Sequence, residues 1–241
     1  MNLSSFSVEK YQEFLKYLYS LQDLKYRDFS KKIVASDNLI GIRSNQLKKI
    51  AKEISQGDYN SFILNNDSNL YETIMIEGYL IGYLKLSFSD LVPYINSYLL
   101  KVNTWSHIDS FVSNLKIFNN AGREGFLFAK RLTHNKKTYF KRCGIIILLN
   151  YYLHDMYIDK VLDIVSAIKS KDYYVNMAIS WLMSTAYIKY KEKTLVYLVN
   201  LENDFVYNKT LSKIIESRKV DENEKKFIKS LKREKKKKLF S

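Results

Sequence analysis

What most constrains this chain is how little interrupts it: one proline, Pro93, and seven glycines in 241 residues. Between Val8 and Lys232 apolar residues recur at the period of helices that turn one face to a core. Tyr11, Phe14, Leu15, Leu18 and Leu21 mark such a face over Val8–Leu24. Leu47, Ile50, Ala51 and Ile54 mark another over Gln46–Ile54, which Gln56-Gly57-Asp58 brings to a stop. Further helices are expected over Tyr71–Leu86, Ser89–Leu100, from Trp105 onward, and over Arg123–Leu132, Tyr139–Leu153 and Tyr157–Ile168. Tyr173–Tyr190, Thr194–Leu201, Lys209–Ser217 and Glu222–Lys232 complete the series. Alternating strand patterns are not evident.

Pairs of these helices return at roughly 30 to 40 residues, the spacing of α-helical solenoids. The expected fold is therefore all-α, with HEAT-like helical repeats forming a curved solenoid. A compact irregular bundle is the second arrangement. One domain is expected over 1–218, followed by a basic helix and tail over 219–241. In Glu77-Gly78-Tyr79-Leu80-Ile81-Gly82 the glycine spacing points to a close helix contact. Phosphate-cradling glycines belong at a strand-to-helix turn, and no strand precedes this one.

Charge narrows the partner. The net charge is +14, and residues 219–238 carry +6 of it, leaving +8 on the rest of the chain. A basic body with a basic tail suits a polyanion, nucleic acid first. The run Lys235-Lys236-Lys237-Lys238 says less than the body does, because such tails are often merely solvated. No apolar run approaches the ~18 residues of a membrane span. No secretory leader is visible at Met1–Lys10, and Cys143 has no second cysteine to pair with, so a cytoplasmic protein is expected. His107, His134 and His154 lack metal-ligand spacing, and neither a nucleophile triad nor a phosphate loop stands out.

Three segments carry chemistry. A helix opening after Asn103-Thr104 sets Trp105 and Asp109 one turn apart on one face. There an indole can shape a pocket while a carboxylate stabilises nearby positive charge. The alternative is that Trp105 packs inward with Ile108 while Asp109 faces water. In Phe140-Lys141-Arg142-Cys143-Gly144-Ile145, Arg142 lies in line with Ile145, Ile146 and Leu149, so it needs a partner, either Asp109 or a phosphate. Asp172-Tyr173-Tyr174-Val175-Asn176-Met177-Ala178-Ile179-Ser180-Trp181 holds the second tryptophan, which could equally be core.

Together, the Trp-xxx-Asp spacing, the arginine before an apolar helix and the Asp-Tyr-x-Val-Asn-x-Ala-x-x-Trp run resemble the HEAT-like-repeat, AlkD-type DNA alkylation repair glycosylases. Asn38-Leu39-Ile40-Gly41-Ile42-Arg43, Tyr71-Glu72 and Glu77-Gly78 resemble that family's early motifs, and the likeness runs from about residue 20 to 218. The resemblance implies hydrolysis of the N-glycosidic bond of cationic N3- and N7-alkylated purines in duplex DNA. It implies Asp109 as the catalytic aspartate, with Trp105 and Trp181 as active-site tryptophans. It also implies Arg142, Tyr26, Arg43 and Lys141 as DNA-binding residues. No cofactor, metal or membrane is expected, and a monomer acting on double-stranded DNA with alkylated bases is. Two features depart from the family pattern: Leu182-Met183-Ser184 after Trp181, where a charged residue is expected, and Phe126 and Phe128, in a region where an aromatic such as tryptophan is common. The alternative is thus a HEAT-like module that binds DNA or protein without excising bases.

Overall fold

The computed structural model describes residues 1–34 and 36–234, and among these the regular structure is helical. The chain divides into two compact units, Met1–Gly122 and the residues from Arg123 on. The first holds α1 (Val8–Ser20), α2 (Leu24–Val34), α3 (Ser44–Ile54), α4 (Tyr59–Asn65), α5 (Tyr71–Tyr83), α6 (Phe88–Lys101) and α7 (Trp105–Asn114), then a 3-10 turn at Lys116–Asn119. The second holds α8 (Gly122–Thr133), α9 (Thr138–Tyr151), α10 (Ile158–Ser166), α11 (Tyr173–Lys189), α12 (Lys191–Val199), α13 (Asp204–Ile215) and α14 (Glu222–Ser230). No helix among the described residues is long and apolar enough to cross a membrane.

Within each unit, alternate helices stack: α3 on α5 and α5 on α7 in the first, α9 on α11 and α11 on α13 in the second. The starts of α9, α11 and α13 lie 35 and 31 residues apart, which is the expected repeat spacing. Two helices were not expected, and several boundaries move: α13 starts at Asp204 rather than Lys209, and α5 ends at Tyr83 rather than Leu86. The single helix expected over Val8–Leu24 ends at Ser20, and the chain restarts as α2 at Leu24. α2 buries only Ser30 and Val34, so it leaves little apolar period to read. α4 has seven residues, too few for a periodic signal, and is placed by its Asp58 cap and buried Phe62. The helix expected near the C-terminus is α14. It is docked on its unit: Tyr187 Oη donates to Glu224 at 2.5 Å, and Arg233 pairs with Asp204 at 2.9 Å. Lys235–Lys238 lie outside the described residues.

α5 is the axis of the first unit, buried from Glu72 through Ile81. Its glycines admit neighbours, as their spacing suggested. A Cβ added at Gly78 would stand 2.6 Å from the Tyr98 hydroxyl of α6, and one at Gly82 would stand 2.8 Å from the Asn114 carbonyl of α7. Two carboxylates lie in this otherwise apolar helix, and each is held by specific donors. Glu77 takes Lys101 Nζ at 2.7 Å and the Asn66 amide at 2.5 Å. Glu72 accepts the backbone N–H groups of Ile40, Gly41 and Ile42 at 3.1, 2.8 and 3.3 Å. Gly41 has φ +93, a conformation glycine adopts at little cost, and a Cβ there would meet the Asp23 carbonyl at 2.5 Å.

Removing the Glu72 carboxylate strands buried amides. Glu72→Ala should therefore lower the unfolding free energy in urea by about 3 kcal/mol or more. Gly41→Ala should cost at least about 1 kcal/mol by forcing an L-residue into positive φ. A wild-type urea midpoint in either variant would contradict this reading of the loop.

Candidate functional site

The geometry around α7 is set by Tyr71, the residue before Glu72. Its hydroxyl meets Ser106 Oγ at 3.1 Å, its ring stacks on His107 at 4.5 Å, and its carbonyl lies 3.1 Å from His107 Nε2. Facing a carbonyl, Nε2 carries a proton, and Nδ1 is buried with no hydrogen-bond partner among the described residues, so the buried ring is held in its neutral form. Thr104, just before α7, donates its hydroxyl to the Val34 carbonyl at 3.1 Å and ties the start of α7 to the end of α2. Ile108, Phe111 and Val112 anchor the inner face. Trp105 and Asp109 lie one turn apart on α7, and both are partly exposed. Ile108, between them in the chain, is fully buried.

The loop that Glu72 holds ends at Arg43. Its guanidinium lies 4.7 Å over the Tyr26 ring and bonds Asp23 at 3.0 Å. The Tyr26 backbone amide, and then Arg43, hold the Asp23 carboxyl below its ordinary range. Tyr26 and Arg43 thus form one cluster at the start of α2, with Arg43 exposed and Tyr26 half-buried.

In the second unit, Arg142 is 4% exposed and donates Nη1 to the Tyr174 carbonyl at 2.7 Å. Lys141, its neighbour, is half-buried. Asp172 caps α11 through the Val175 amide at 3.0 Å and accepts the Thr138 hydroxyl of α9 at 2.9 Å. Val175, Asn176, Ala178, Ile179 and Ser180 are buried, while Trp181 is 40% exposed. That motif is therefore a frame that leaves its tryptophan outside, on the same face of α11 as Tyr174 two turns earlier. Leu182, Met183 and Ser184, the stretch where a charge was expected, are all buried, and Ser184 donates to the Trp181 carbonyl at 2.9 Å. Phe126 and Phe128 are core residues, Phe126 packing on Tyr157 at 4.6 Å. Among the described residues, no cluster of three His, Cys, Asp or Glu side chains could hold a metal ion.

A family model described as DNA alkylation repair enzyme matches residues 14–216. The chain belongs to the DNA alkylation repair enzyme family. No curated protein and no solved structure matches it. The matched span of this DNA alkylation repair enzyme takes in α7, the Glu72-bound loop and α11, and ends before α14. Sequence reasoning passed over Tyr71 and His107 as working parts. The available signal was a histidine at an inward helical position, where a polar ring needs a partner.

Burial lowers the His107 imidazole from 6.5 to about 4. The unfolded chain then binds a proton that the folded one refuses, so this contribution is intact above pH ~6.5 and is lost as pH falls toward 4. Burial raises Glu72 and Glu77, whose contributions run the opposite way, so a paired comparison isolates the histidine. Between pH 7 and 4.5 wild type should lose roughly 2 kcal/mol relative to His107→Phe in urea unfolding. Parallel pH profiles for the two proteins would contradict the neutral, buried assignment.

Proposed function

We propose that this DNA alkylation repair enzyme is a monofunctional DNA glycosylase acting on cationic N3- and N7-alkylated purines in duplex DNA. The observation that carries the reading is the partly exposed Trp105–Asp109 pair on α7, whose first turn is braced where half-buried Tyr71 stacks on buried His107. The net charge of +14 supports a polyanionic substrate.

An alkylated purine already bears positive charge, so it needs no proton donor to leave. The C1′–N9 bond breaks with both electrons passing to the purine, which departs neutral. The sugar becomes oxocarbenium-like, and the Asp109 carboxylate stabilises that charge and orients water. Water adds its oxygen to C1′ and gives up a proton, which Asp109 can accept and pass to solvent. Indole faces at Trp105 and Trp181 favour the developing cation. Arg43 and Lys141 are assigned to phosphates, with Tyr26 beside Arg43. Arg142, buried under Tyr174, acts on the DNA through its charge and through its hold on the start of α11.

A second reading is a member that binds DNA without excising bases, and the inward-turned Ser184 favours it. Methylated duplex DNA incubated with excess enzyme separates the two. The glycosylase reading expects release of N7-methylguanine or N3-methyladenine, and loss of about 10²-fold or more of that rate in Asp109→Asn with duplex affinity retained. No release by the wild type at any enzyme concentration would favour the binding module. A full rate in Asp109→Asn would remove Asp109 from the chemistry.

A further inference from the structure

Within the second unit, a row of aromatic rings crosses the first turns of three stacked helices. Tyr139 of α9 lies 6.3 Å from Tyr174 of α11, Tyr174 lies 5.4 Å from Tyr173, and Tyr173 lies 5.9 Å from Phe205 of α13. The last two rings of the row are open, Tyr173 at 57% and Phe205 at 43% exposure. Neighbouring exposed rings leave apolar surface in water that the core does not need, which marks an interaction surface. The loops leading into Tyr173 and Phe205 wall a cleft of about 820 Å³, with Lys171, Ser170, Asn200 and Asn203 among its lining residues.

Lysines surround this row. Lys136, Lys137 and Lys171 are exposed, and Lys209 lies one turn after Phe205. The neighbouring acids are engaged: Asp172 caps α11, Asp204 pairs with Arg233 at 2.9 Å, and Glu202 pairs with Lys169 at 3.2 Å. The amino ends of the three helices add partial positive charge.

We propose that this edge binds an unpaired stretch of a DNA strand, its bases stacked on Tyr173 and Phe205 and its phosphates on Lys136, Lys137, Lys171 and Lys209. Ring faces require base faces, and in a duplex those are covered by neighbouring base pairs, whereas an unpaired strand offers them. The choice of DNA rests on the glycosylase reading above, while the stacking stands on its own. In this arrangement the second unit holds strand opened beside a damaged duplex.

Fluorescence anisotropy with a short labelled oligo(dT), and with a duplex of the same length, tests this on the full chain. Tyr173→Ala/Phe205→Ala should weaken oligo(dT) binding at least tenfold, roughly the worth of stacking one base, and leave duplex affinity unchanged. Tyr173→Trp/Phe205→Trp should restore it. Lys171→Gln/Lys209→Gln should flatten the slope of log K against log salt by about 1.4, or ~0.7 per phosphate contact on single strands. Base release from methylated duplex is measured in parallel. A wild type that releases no base yet binds oligo(dT) through these rings overturns the glycosylase reading and keeps this one. Oligo(dT) binding that is absent in wild type, unchanged in the ring-deleted variant, or lost equally with duplex binding overturns the proposal.

Discussion

A carboxylate buried in an apolar helix is tolerable only if its oxygens find donors, and in this fold Glu72 finds them in the backbone of one loop. Burial pushes its pKa up, while the Gly41, Ile40 and Ile42 amides pull it down. The loop can aim these amides at one point because Gly41 takes a positive φ and lies against Asp23 and Arg27. The conformation of residues 38–43 is thereby fixed from α5, and with it the position at which Arg43 meets Tyr26 and Asp23. Tyr71 adds a second tie to the same loop through its backbone N–H, 2.9 Å from the Asn38 carbonyl.

Two adjacent residues of α5 therefore do separate work. Glu72 holds the loop, and Tyr71 holds the first turn of α7 through Ser106 and His107. Both residues lie at the start of a helix that is itself buried almost all round, so the first turn of α7, which carries Trp105, rests on a support with little room to shift. In a family of DNA repair enzymes such support has a purpose. On the glycosylase reading proposed above, stabilising a sugar cation would depend on a carboxylate already in position, because reorganising it during the reaction would cost what it gains.

Helix content was legible in α3 and α10 because one face of each is apolar, and in α5, α9 and α11 because long apolar runs pass without a proline. It failed at α2, whose polar, lysine-rich surface gives no stripe, and at α4, which is shorter than two periods. The same-face relation of Trp105 and Asp109 follows from helical geometry alone, and so it could be read before any coordinates. The contact between Arg142 and the Tyr174 carbonyl could not. A backbone carbonyl leaves no trace in sequence, and residues 142 and 174 are joined only by the stacking of α9 on α11. Glu72 was visible as part of a pair but not as a loop anchor, since what it binds are amides of residues 30 to 32 positions away. Ser184 shows the converse: a residue conspicuous by its type proves to be a hydroxyl folded back on its own helix.

The central claim is that the Tyr71–His107 stack, rather than α7 itself, holds the helix start that carries Trp105 and Asp109. Amide hydrogen exchange on the intact chain, wild type against Tyr71→Ala, measures it without reference to any substrate. The account predicts that Ile108 and Asp109 exchange at least about tenfold faster in the variant while the amides of α3 keep their protection. Unchanged protection at Ile108 and Asp109 in Tyr71→Ala would contradict it.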